Sequence, residues 1–425
     1  MTVSAGGSTF GETKPAGADP GVPVSPGLVL APFRALRFDE AVAGPLASLI
    51  CPPYDVIDDA EVEAYEQASI HNIVRVILPR GDASGPQSRY RRAADLLDAW
   101  RRDGVLRPDD AASVYVLEMR DGAHVLRGLV GVVALCDPEQ GVILPHENVM
   151  AGPVSDRLLL TAATATNTEP IFLIYDGGGA ASEVVAGVDD LAPVAQVRTD
   201  DGIEHRLWAI SDPAVLAAVA ADLLERQAVI ADGHHRYANY RQHQAAQHAA
   251  GAGPGPWDFG LTLLVDATVF GPQVHAIHRV VATLTLDEAI ARAGADFATR
   301  RLGGDLEDAL ESLATAGKEG QAYVVSDGTD RWLLSDPDPV ALAEHLPGDR
   351  SQAWRDLDVT VAHVFLIQHL WGLTDDETTV GYRHSASAAE DAALDGGIAL
   401  LLNPTPVEAL ISVASAGERM PRKST

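Results

Sequence analysis

The stretch VIADGHHRYANY, residues 229–240, gathers residue types that bind anions in proteins. Its branched apolar start predicts a strand, its Asp-Gly pair predicts a turn, and its remainder favours a helix. A helix that begins directly after a strand presents its first N–H groups at the sheet edge, where the helix dipole favours negative charge. Arg236 falls in the first helical turn, and its planar guanidinium suits phosphate or carboxylate oxygens. The stretch therefore predicts a phosphate-binding site.

Each residue of this turn has a candidate role. Gly233 would let a ligand approach the backbone closely, and Asp232 could hold Mg²⁺ or take a proton from a hydroxyl group. His234 and His235 are helical neighbours that point about 100° apart, so they cannot grip one metal ion. One imidazole would face the ligand while the other packs behind it. The alternative is structural: Asp232 caps the helix, Gly233 makes the turn, and the histidines and Arg236 satisfy buried carbonyl groups.

Four other short motifs carry side chains that could join the turn. They are Tyr54 and Asp55 in CPPYDVI, Glu147 in LPHENV, Arg157 in SDRLLL, and His278 and Arg279 in HAIHR. LPHENV is not a zinc-protease helix, because Met150 stands where the second histidine of that motif belongs. Each motif also has a plain alternative: a rigid corner, a surface loop, an ion pair at a helix start, and a solvated strand edge.

The overall charge of the chain limits its partners. Its 425 residues include 31 basic and 60 acidic side chains, which gives a formal net charge of -29. Such a field repels phosphate backbones and anionic membrane surfaces, so we expect no nucleic-acid partner and no membrane partner. No apolar run approaches the length of a membrane span. With only Cys51 and Cys136, the chain has no disulfide framework, which favours a cytoplasmic protein.

The length and composition predict two domains that follow a disordered tail. Residues 1–27 are rich in Gly, Pro, Ser and Thr and lack the basic start and apolar block of a secretion signal. Strands then alternate with helices, and hairpin signals add antiparallel pairing. The predicted fold class is α/β (α+β), with mixed sheets and flanking helices. We place an α/β domain that carries the anion-binding turn at residues 28–250 and a second α/β domain at 251–425.

Local patterns predict individual elements. NIVRVILP, residues 72–79, is apolar and rich in β-branched residues, which predicts a strand. The Asp121-Gly122 pair lies between two strand-like runs and predicts a hairpin, as does the Asp-Gly pair in QAYVVSDGTDRWLLS. The helix after the turn is expected from about His235 to Ala250, where AGAGPGP ends it.

Seven blocks of sequence resemble the prokaryotic family named domain of unknown function 1015. In chain order they are PPYDVI, NIVRVILP, ILPHENVMAGPVSDR, VIADGHHRY, HAIHR, LLNPTPV and GERMPRKST. The resemblance spans nearly the whole folded chain. It implies membership of this family, whose name states no activity.

A second resemblance covers the turn and its flanks only. The core Asp-Gly-His-His-Arg resembles the nucleotide-binding signature of the ParB/sulfiredoxin-like superfamily, which includes free serine kinases. Residues 233–236 match its Gly-x-x-Arg pattern position by position. The resemblance implies a nucleotide-binding element that holds ATP or ADP phosphates while a nearby acid helps a substrate hydroxyl group attack. The extra strands before the turn and the long C-terminal half depart from the small ParB-like domain.

The first hypothesis is therefore a phosphotransferase that uses ATP or ADP with Mg²⁺ and acts on a small hydroxylated metabolite, such as free serine. Its expected catalytic residues are Asp232, His235 and Glu147, with Asp232 also the metal ligand and Asp55 a second candidate base. The residues expected to bind the nucleotide or its phosphates are Gly233, His234, Arg236, Tyr54, Asp55, Arg157, His278 and Arg279.

Two other hypotheses remain open on the same residues. A metabolite phosphatase would use the histidines and acids on a phosphorylated substrate without a nucleotide. A regulatory protein would bind a nucleotide at the turn without catalysis. The sequence contains neither a Walker-type Gly-Lys-Ser/Thr loop nor a kinase glycine-rich loop, so the usual phosphate-binding folds are not expected.

Overall fold

The computed structural model describes residues 25–81, 88–146, 149, 151–272, 274–374, 379–421 and 423–424. Of the predicted tail, residues 1–27, the first 24 residues lie outside these ranges. The described chain enters the protein core at Leu28, which is fully buried, where folded structure is expected to begin.

Seventeen strands are present in the described part of the chain. They are β1 (Leu30–Ala31), β2 (Leu36–Phe38), β3 (Leu106–Pro108), β4 (Val114–Asp121), β5 (His124–Ala134), β6 (Ile143–Pro145), β7 (Ile171–Tyr175), β8 (Ala195–Arg198), β9 (Glu204–Ile210), β10 (Ala228–Asp232), β11 (Phe259–Asp266), β12 (His278–Val281), β13 (Ala298–Leu302), β14 (Tyr323–Ser326), β15 (Arg331–Ser335), β16 (Val380–Arg383) and β17 (Ile398–Leu402).

Fifteen α-helical segments connect and cover these strands in the described ranges. They are α1 (Glu40–Ala43), α2 (Asp59–Ala68), α3 (Val74–Ile77), α4 (Ser88–Arg102), α5 (Ala151–Thr164), α6 (Gly179–Ala186), α7 (Pro213–Leu223), α8 (His234–Ala249), α9 (Leu286–Ala293), α10 (Leu306–Ala316), α11 (Pro339–His345), α12 (Gln352–Arg355), α13 (Asp358–Thr360), α14 (Ala386–Ala393) and α15 (Val407–Ser415). The chain continues from α13 as a π-helix, Val361–Leu370.

A nine-stranded mixed sheet forms the first half of the protein. Its strand order is β6-β10-β7-β11-β5-β4-β9-β8, and β1 adds to β5. The pairs β10/β6 and β11/β7 are parallel, whereas the other pairs are antiparallel. The predicted hairpin at Asp121-Gly122 is confirmed, since Asp121 lies opposite His124 in the β4/β5 register. The predicted mixed α/β fold class is therefore confirmed.

A six-stranded antiparallel sheet forms the second half, in the order β13-β15-β14-β17-β12-β16. The second predicted hairpin is its β14/β15 pair. Strand β11 follows the predicted domain division at 250/251 but pairs with β5 and β7 of the first sheet. The change from one sheet to the other thus falls between Asp266 and His278, and the division itself stays a prediction.

The segment after α15 touches both halves of the protein. The backbone N–H of Met420 donates to the carbonyl of His146, 3.0 Å away at the end of β6. Arg419 donates from its guanidinium to the carbonyl of Pro145. Three residues later the carbonyl of Lys423 accepts from Arg279 of the second sheet at 2.8 Å. Among the described residues, no helix is both long enough and apolar enough to cross a bilayer.

The predicted strand at residues 72–79 is wrong, because the chain forms the single helical turn α3 there. Asn72 is fully buried, and its side-chain oxygen accepts from the N–H of Val74 at 2.9 Å. Its amide nitrogen donates to the carbonyls of Ser48 and Ile50 at 2.9 and 3.0 Å. These bonds satisfy the backbone locally without a neighbouring strand. Tertiary contacts therefore override the β-propensity of the segment.

Replacing Asn72 with alanine should lower the free energy of unfolding by about 3 kcal/mol, because three backbone groups lose their partner in a buried place. Urea denaturation followed by circular dichroism measures the change. Gln67→Ala, at an exposed position of α2, is the control and should alter stability by less than about 0.5 kcal/mol. Equal effects of the two substitutions would show that Asn72 does not hold this turn.

Candidate functional site

The predicted strand, turn and helix are present at residues 228–249. β10 ends at Asp232, Gly233 has a φ of 88°, and α8 begins at His234. A positive φ of this size is easily adopted only by glycine, so the turn requires Gly233. The N-cap residue of α8 is Gly233, which has no side chain to accept from the first N–H groups of the helix. Asp232 precedes the N-cap and pairs with Arg236, so the structural alternative in which Asp232 caps the helix is not the arrangement found. The dipole of α8 gives this end a positive potential.

The space beside Gly233 is filled by Arg236 rather than open to a ligand. A Cβ atom added to Gly233 would lie 3.2 Å from Cζ of Arg236 and 3.4 Å from Cα of Ile171. The expectation that Gly233 admits a ligand is thus corrected: the group that approaches its backbone is the protein's own guanidinium. The glycine allows Arg236 to fold back over the turn.

Arg236 is held from two sides. Its Nη2 donates to the carboxylate of Asp232 at 2.5 Å, and its Nη1 donates to the carbonyl of Pro170. The side chain of Arg236 is 6% exposed, whereas that of Asp232 is 60% exposed. The buried cation is therefore fixed in place, and the carboxylate that pairs with it faces solvent. The suggestion that Arg236 satisfies a buried carbonyl is confirmed for Pro170.

The two histidines of the turn differ in their surroundings. His234 is buried, and its Nε2 accepts the backbone N–H of His146 at 3.2 Å. The ring of His146 packs edge-on against it, with 4.5 Å between the centroids, and Nδ1 of His146 lies 2.6 Å from the carbonyl of Ile230. This pair ties the end of β6 to the end of β10 and the start of α8. His235 is only partly buried.

Burial keeps the two packed histidines neutral. Burial is the main cause that lowers the pKa of His146 to about 4 and that of His234 to about 3, and the charge of nearby Arg419 contributes to both values. His146 donates from Nδ1 to the Ile230 carbonyl, which fixes its tautomer. His234 keeps a lone pair on Nε2 for the backbone N–H. At neutral pH this pair therefore adds no positive charge to the turn.

One acidic residue, Glu169, connects the loop CPPYDVI to the region of the turn. The backbone N–H of Tyr54 donates to Oε1 of Glu169 at 3.0 Å. Oε2 of Glu169 lies 3.6 Å from Nη1 of Arg157, whose guanidinium sits over the Tyr54 ring at 4.2 Å. Glu169 directly precedes Pro170, the acceptor of Arg236. The structure therefore brings Tyr54 and Arg157 to the turn, with the exposed Asp55 beside them.

Burial and nearby charges shift the pKa values of the groups around Glu169. Burial raises the pKa of Glu169, while the Tyr54 N–H bond and the charges of Arg236 and Arg157 oppose the rise. Burial also raises the pKa of Tyr54. It raises the pKa of Cys51, in the same loop, to about 12, and the charge of Glu169 adds to this effect. The Cys51 thiol is therefore protonated at neutral pH and is a poor nucleophile.

A cavity of about 520 Å³ opens on the Tyr54 side of the cluster. Arg157 lines it but is already engaged, since it donates to Asp156 at 2.6 Å and to the carbonyl of Ile77 at 2.7 Å. Arg89 pairs with the other oxygen of Asp156 at 2.7 Å. The cavity thus has alternating charges at its wall and room for a small polar molecule.

His278 and Arg279 do not join the turn. Both are buried on β12, which lies between β16 and β17 in the second sheet. Nδ1 of His278 accepts the N–H of Leu402 at 3.3 Å, and Arg279 donates to Nε2 of His363 at 2.9 Å. Their prediction as nucleotide-binding residues and as a solvated edge is corrected, because β12 is an interior strand. Glu147 lies outside the described residues.

Sequence reasoning missed Glu169 and the role of Pro170. The sequence signal is an acidic residue and a proline directly before the apolar strand β7. The burial of Glu169 does not follow from it, because acidic residues are normally exposed. Asn239 is a further missed contact: it donates to Thr161 at 3.0 Å and joins α8 to α5. Glu169 and Pro170 lie outside the quoted motifs, whereas Asn239 lies inside VIADGHHRYANY but does not by its residue type indicate this contact.

The turn offers few of the oxygen ligands that Mg²⁺ requires. Among the described residues, no group of three or more His, Cys, Asp or Glu side chains comes together as a metal cage. Mg²⁺ commonly binds through one or two carboxylates together with substrate phosphates. The exposed carboxylate of Asp232, next to the start of α8, fits that second kind of site.

The fold and the turn define a mixed α/β protein whose candidate site is the turn from β10 to α8. The family model described as protein of unknown function (DUF1015) matches residues 30–360, so the chain belongs to this family. No curated protein matches the sequence.

Several solved structures are similar to parts of this chain. Free serine kinase in complex with AMP is 15% identical, with 66% of this chain and 82% of that chain covered and a TM-score of 0.30. SbnI from Staphylococcus aureus, with a C-terminal truncation, is 10% identical over 69% and 80%, with a TM-score of 0.32. A conserved hypothetical protein from Pyrococcus furiosus is 14% identical over 66% and 85%, with a TM-score of 0.29. These TM-scores are too low to carry a conclusion about activity.

The neutral histidine pair should make the protein less stable in acid. Unfolded histidine takes up a proton near pH 6.5, whereas folded His146 and His234 do so only near 4 and 3, so the unfolded state binds more protons as the pH falls. The free energy of unfolding should therefore fall from pH 6.5 downward. Urea denaturation at several pH values measures this slope.

His234→Gln should reduce that slope by up to about 1.4 kcal/mol per pH unit, because one proton-binding difference is removed. His124→Gln, at a partly buried position of the β4/β5 hairpin that is remote from the pair in sequence, provides a histidine control. An unchanged slope in His234→Gln would mean that His234 is not held neutral by the fold.

Proposed function

We propose that this protein is a phosphotransferase that uses a nucleotide, ATP or ADP, to phosphorylate a small hydroxylated metabolite, with free serine as the first candidate. The observation that supports this proposal is the convergence of separate motifs at the start of one helix, α8. Asp232 and Arg236 meet Tyr54 and Arg157 there, although more than 60 residues separate each motif from the next.

The geometry supports a role for each group. The N–H groups at the start of α8 supply the positive potential for a phosphate group. Arg236 is held rigidly beside them, and a rigid cation pays little reorganisation when charge develops in a transition state. Asp232, the exposed acid, takes the proton of the attacking hydroxyl group or holds the metal. His235, partly exposed at the second position of α8, contacts phosphate or exchanges a proton.

The nucleotide and the acceptor need separate places. The phosphates would lie at the α8 start, and the cavity beside Tyr54 and Arg157 would receive the acceptor. Asp232 would hold Mg²⁺ together with nucleotide phosphates. Bound Mg²⁺ would neutralise the phosphate oxygens during transfer. Glu147 and Asp55 remain proposed bases.

Arg236→Lys should weaken nucleotide binding by about tenfold or more, because one ammonium group cannot reach Asp232 and the Pro170 carbonyl in the planar arrangement of a guanidinium. Isothermal titration with ATP and with ADP, each with Mg²⁺, measures the affinity. Arg102→Lys, at an exposed position at the end of α4, is the matched control. Unchanged affinity in Arg236→Lys would contradict nucleotide binding at this turn.

Asp232→Asn should lower acceptor-dependent nucleotide turnover on the order of a hundredfold, because an amide neither accepts the hydroxyl proton nor holds Mg²⁺ well. Incubation with a nucleotide, Mg²⁺ and a panel of hydroxylated amino acids and sugars measures turnover, with Asp98→Asn on exposed α4 as the control. Phosphate release from phosphoserine without nucleotide would instead identify a phosphatase. Tight nucleotide binding without any turnover would identify a regulatory protein.

A further inference from the structure

Glu169 and Pro170 connect more parts of the site than any of the predicted residues. The carboxylate of Glu169 accepts from the Tyr54 N–H at 3.0 Å, and its carbonyl accepts from the hydroxyl of Tyr240 at 3.0 Å. The next carbonyl, that of Pro170, accepts from Arg236. Two consecutive residues therefore bind the 51–57 loop and two successive turns of the same face of α8.

The burial of a charge at Glu169 needs a physical reason. The residue is 8% exposed, and a buried carboxylate is unfavourable unless it is paired and hydrogen-bonded. A glutamine could accept the same bond from Tyr54 without this penalty. Arg157 does not require the charge, because Asp156 and the Ile77 carbonyl already occupy its guanidinium.

The remaining reason is the joint field of two guanidinium groups. Arg157 and Arg236 both act on the Glu169 carboxylate, and they approach it from α5 and α8. Their like charges repel each other, and the Glu169 carboxylate, 3.6 Å from Nη1 of Arg157 and in the field of Arg236, offsets that repulsion. Glu169 thus stabilises the arrangement in which both cations stay beside the Tyr54 loop.

We infer that Glu169 is the positioning residue of this site: its carboxylate holds the 51–57 loop against the α8 turn, and its charge keeps Arg236 and Arg157 together. It need not touch a ligand to do this. The effect of Glu169 on kcat rests on the proposed phosphotransferase function. Its effect on the stability of the 51–57 loop and of the start of α8 does not depend on that function.

Hydrogen exchange tests the structural consequence without any assumption about activity. In Glu169→Ala the Tyr54 N–H loses its acceptor, so amides of the 51–57 loop should exchange about fivefold or more faster, as expected for the loss of about 1 kcal/mol. Amides of residues 232–238 should also exchange faster. Glu183→Gln, at an exposed position of α6, should leave both segments unchanged. Unchanged exchange of the loop in Glu169→Ala would overturn the inference.

Glu169→Gln keeps an acceptor for Tyr54 but removes the charge, and it serves if the alanine variant does not fold. We expect the α8 segment 232–238 to exchange faster in this variant while the 51–57 loop stays close to wild type. Exchange at the wild-type rate in both segments would show that the charge positions nothing.

Kinetics then test the consequence for catalysis. Because Glu169 acts through Arg236 and Tyr54, Glu169→Gln should lower kcat on the order of a hundredfold, as small misplacements do, while the KM for the nucleotide rises by less than the tenfold loss of affinity expected for Arg236→Lys. A rise in KM with unchanged kcat would overturn the positioning role, since it would indicate direct ligand contact. If the wild-type protein turned over no nucleotide with any acceptor, the proposed function would fall, and the exchange experiments would still decide the role of Glu169.

Discussion

The arrangement of the site depends on one ion pair across a glycine turn. Arg236 is buried beneath Gly233, bonded on one side to Asp232 and on the other to the Pro170 carbonyl. A buried guanidinium that lost either partner would keep a large desolvation penalty, so both partners are needed for the turn to keep its shape. Gly233 must be glycine for the same reason, because a side chain there would displace the cation.

A second turn in the same sheet shows why the start of α8 differs. After β7 the chain passes three glycines with positive φ, Gly177 to Gly179, and enters α6, which is also a strand, glycine turn and helix. There the protein supplies its own anions: Asp266 accepts from the N–H of Gly178 at 3.3 Å and Asp222 from that of Ala181 at 2.9 Å. α6 is therefore neutralised by carboxylates of the protein, whereas the described carboxylate at the start of α8, that of Asp232, pairs with Arg236.

Interactions between residues close in sequence made much of the turn predictable. The features that depend on contacts between residues far apart in sequence were not predictable. The strand, the turn and α8 follow from residues that are adjacent in sequence, and the two hairpins follow from Asp-Gly pairs. The segment that begins at Asn72 could not be assigned, because its helical turn depends on carbonyl groups more than 20 residues away. Glu169 was missed for the same reason. His278 and Arg279 share the residue types of a site, but the interior position of β12 removes them from it.

The contact between Met420 and His146 has a consequence for the order in which the chain assembles. β6 is the edge strand next to β10, and its last carbonyl groups are bound by residues that leave the ribosome some 274 positions later. Contacts of such long sequence separation form slowly, since a large loop must close first. The edge beside His146 therefore stays incomplete until these last residues have been synthesised, and an incomplete strand edge favours wrong pairing.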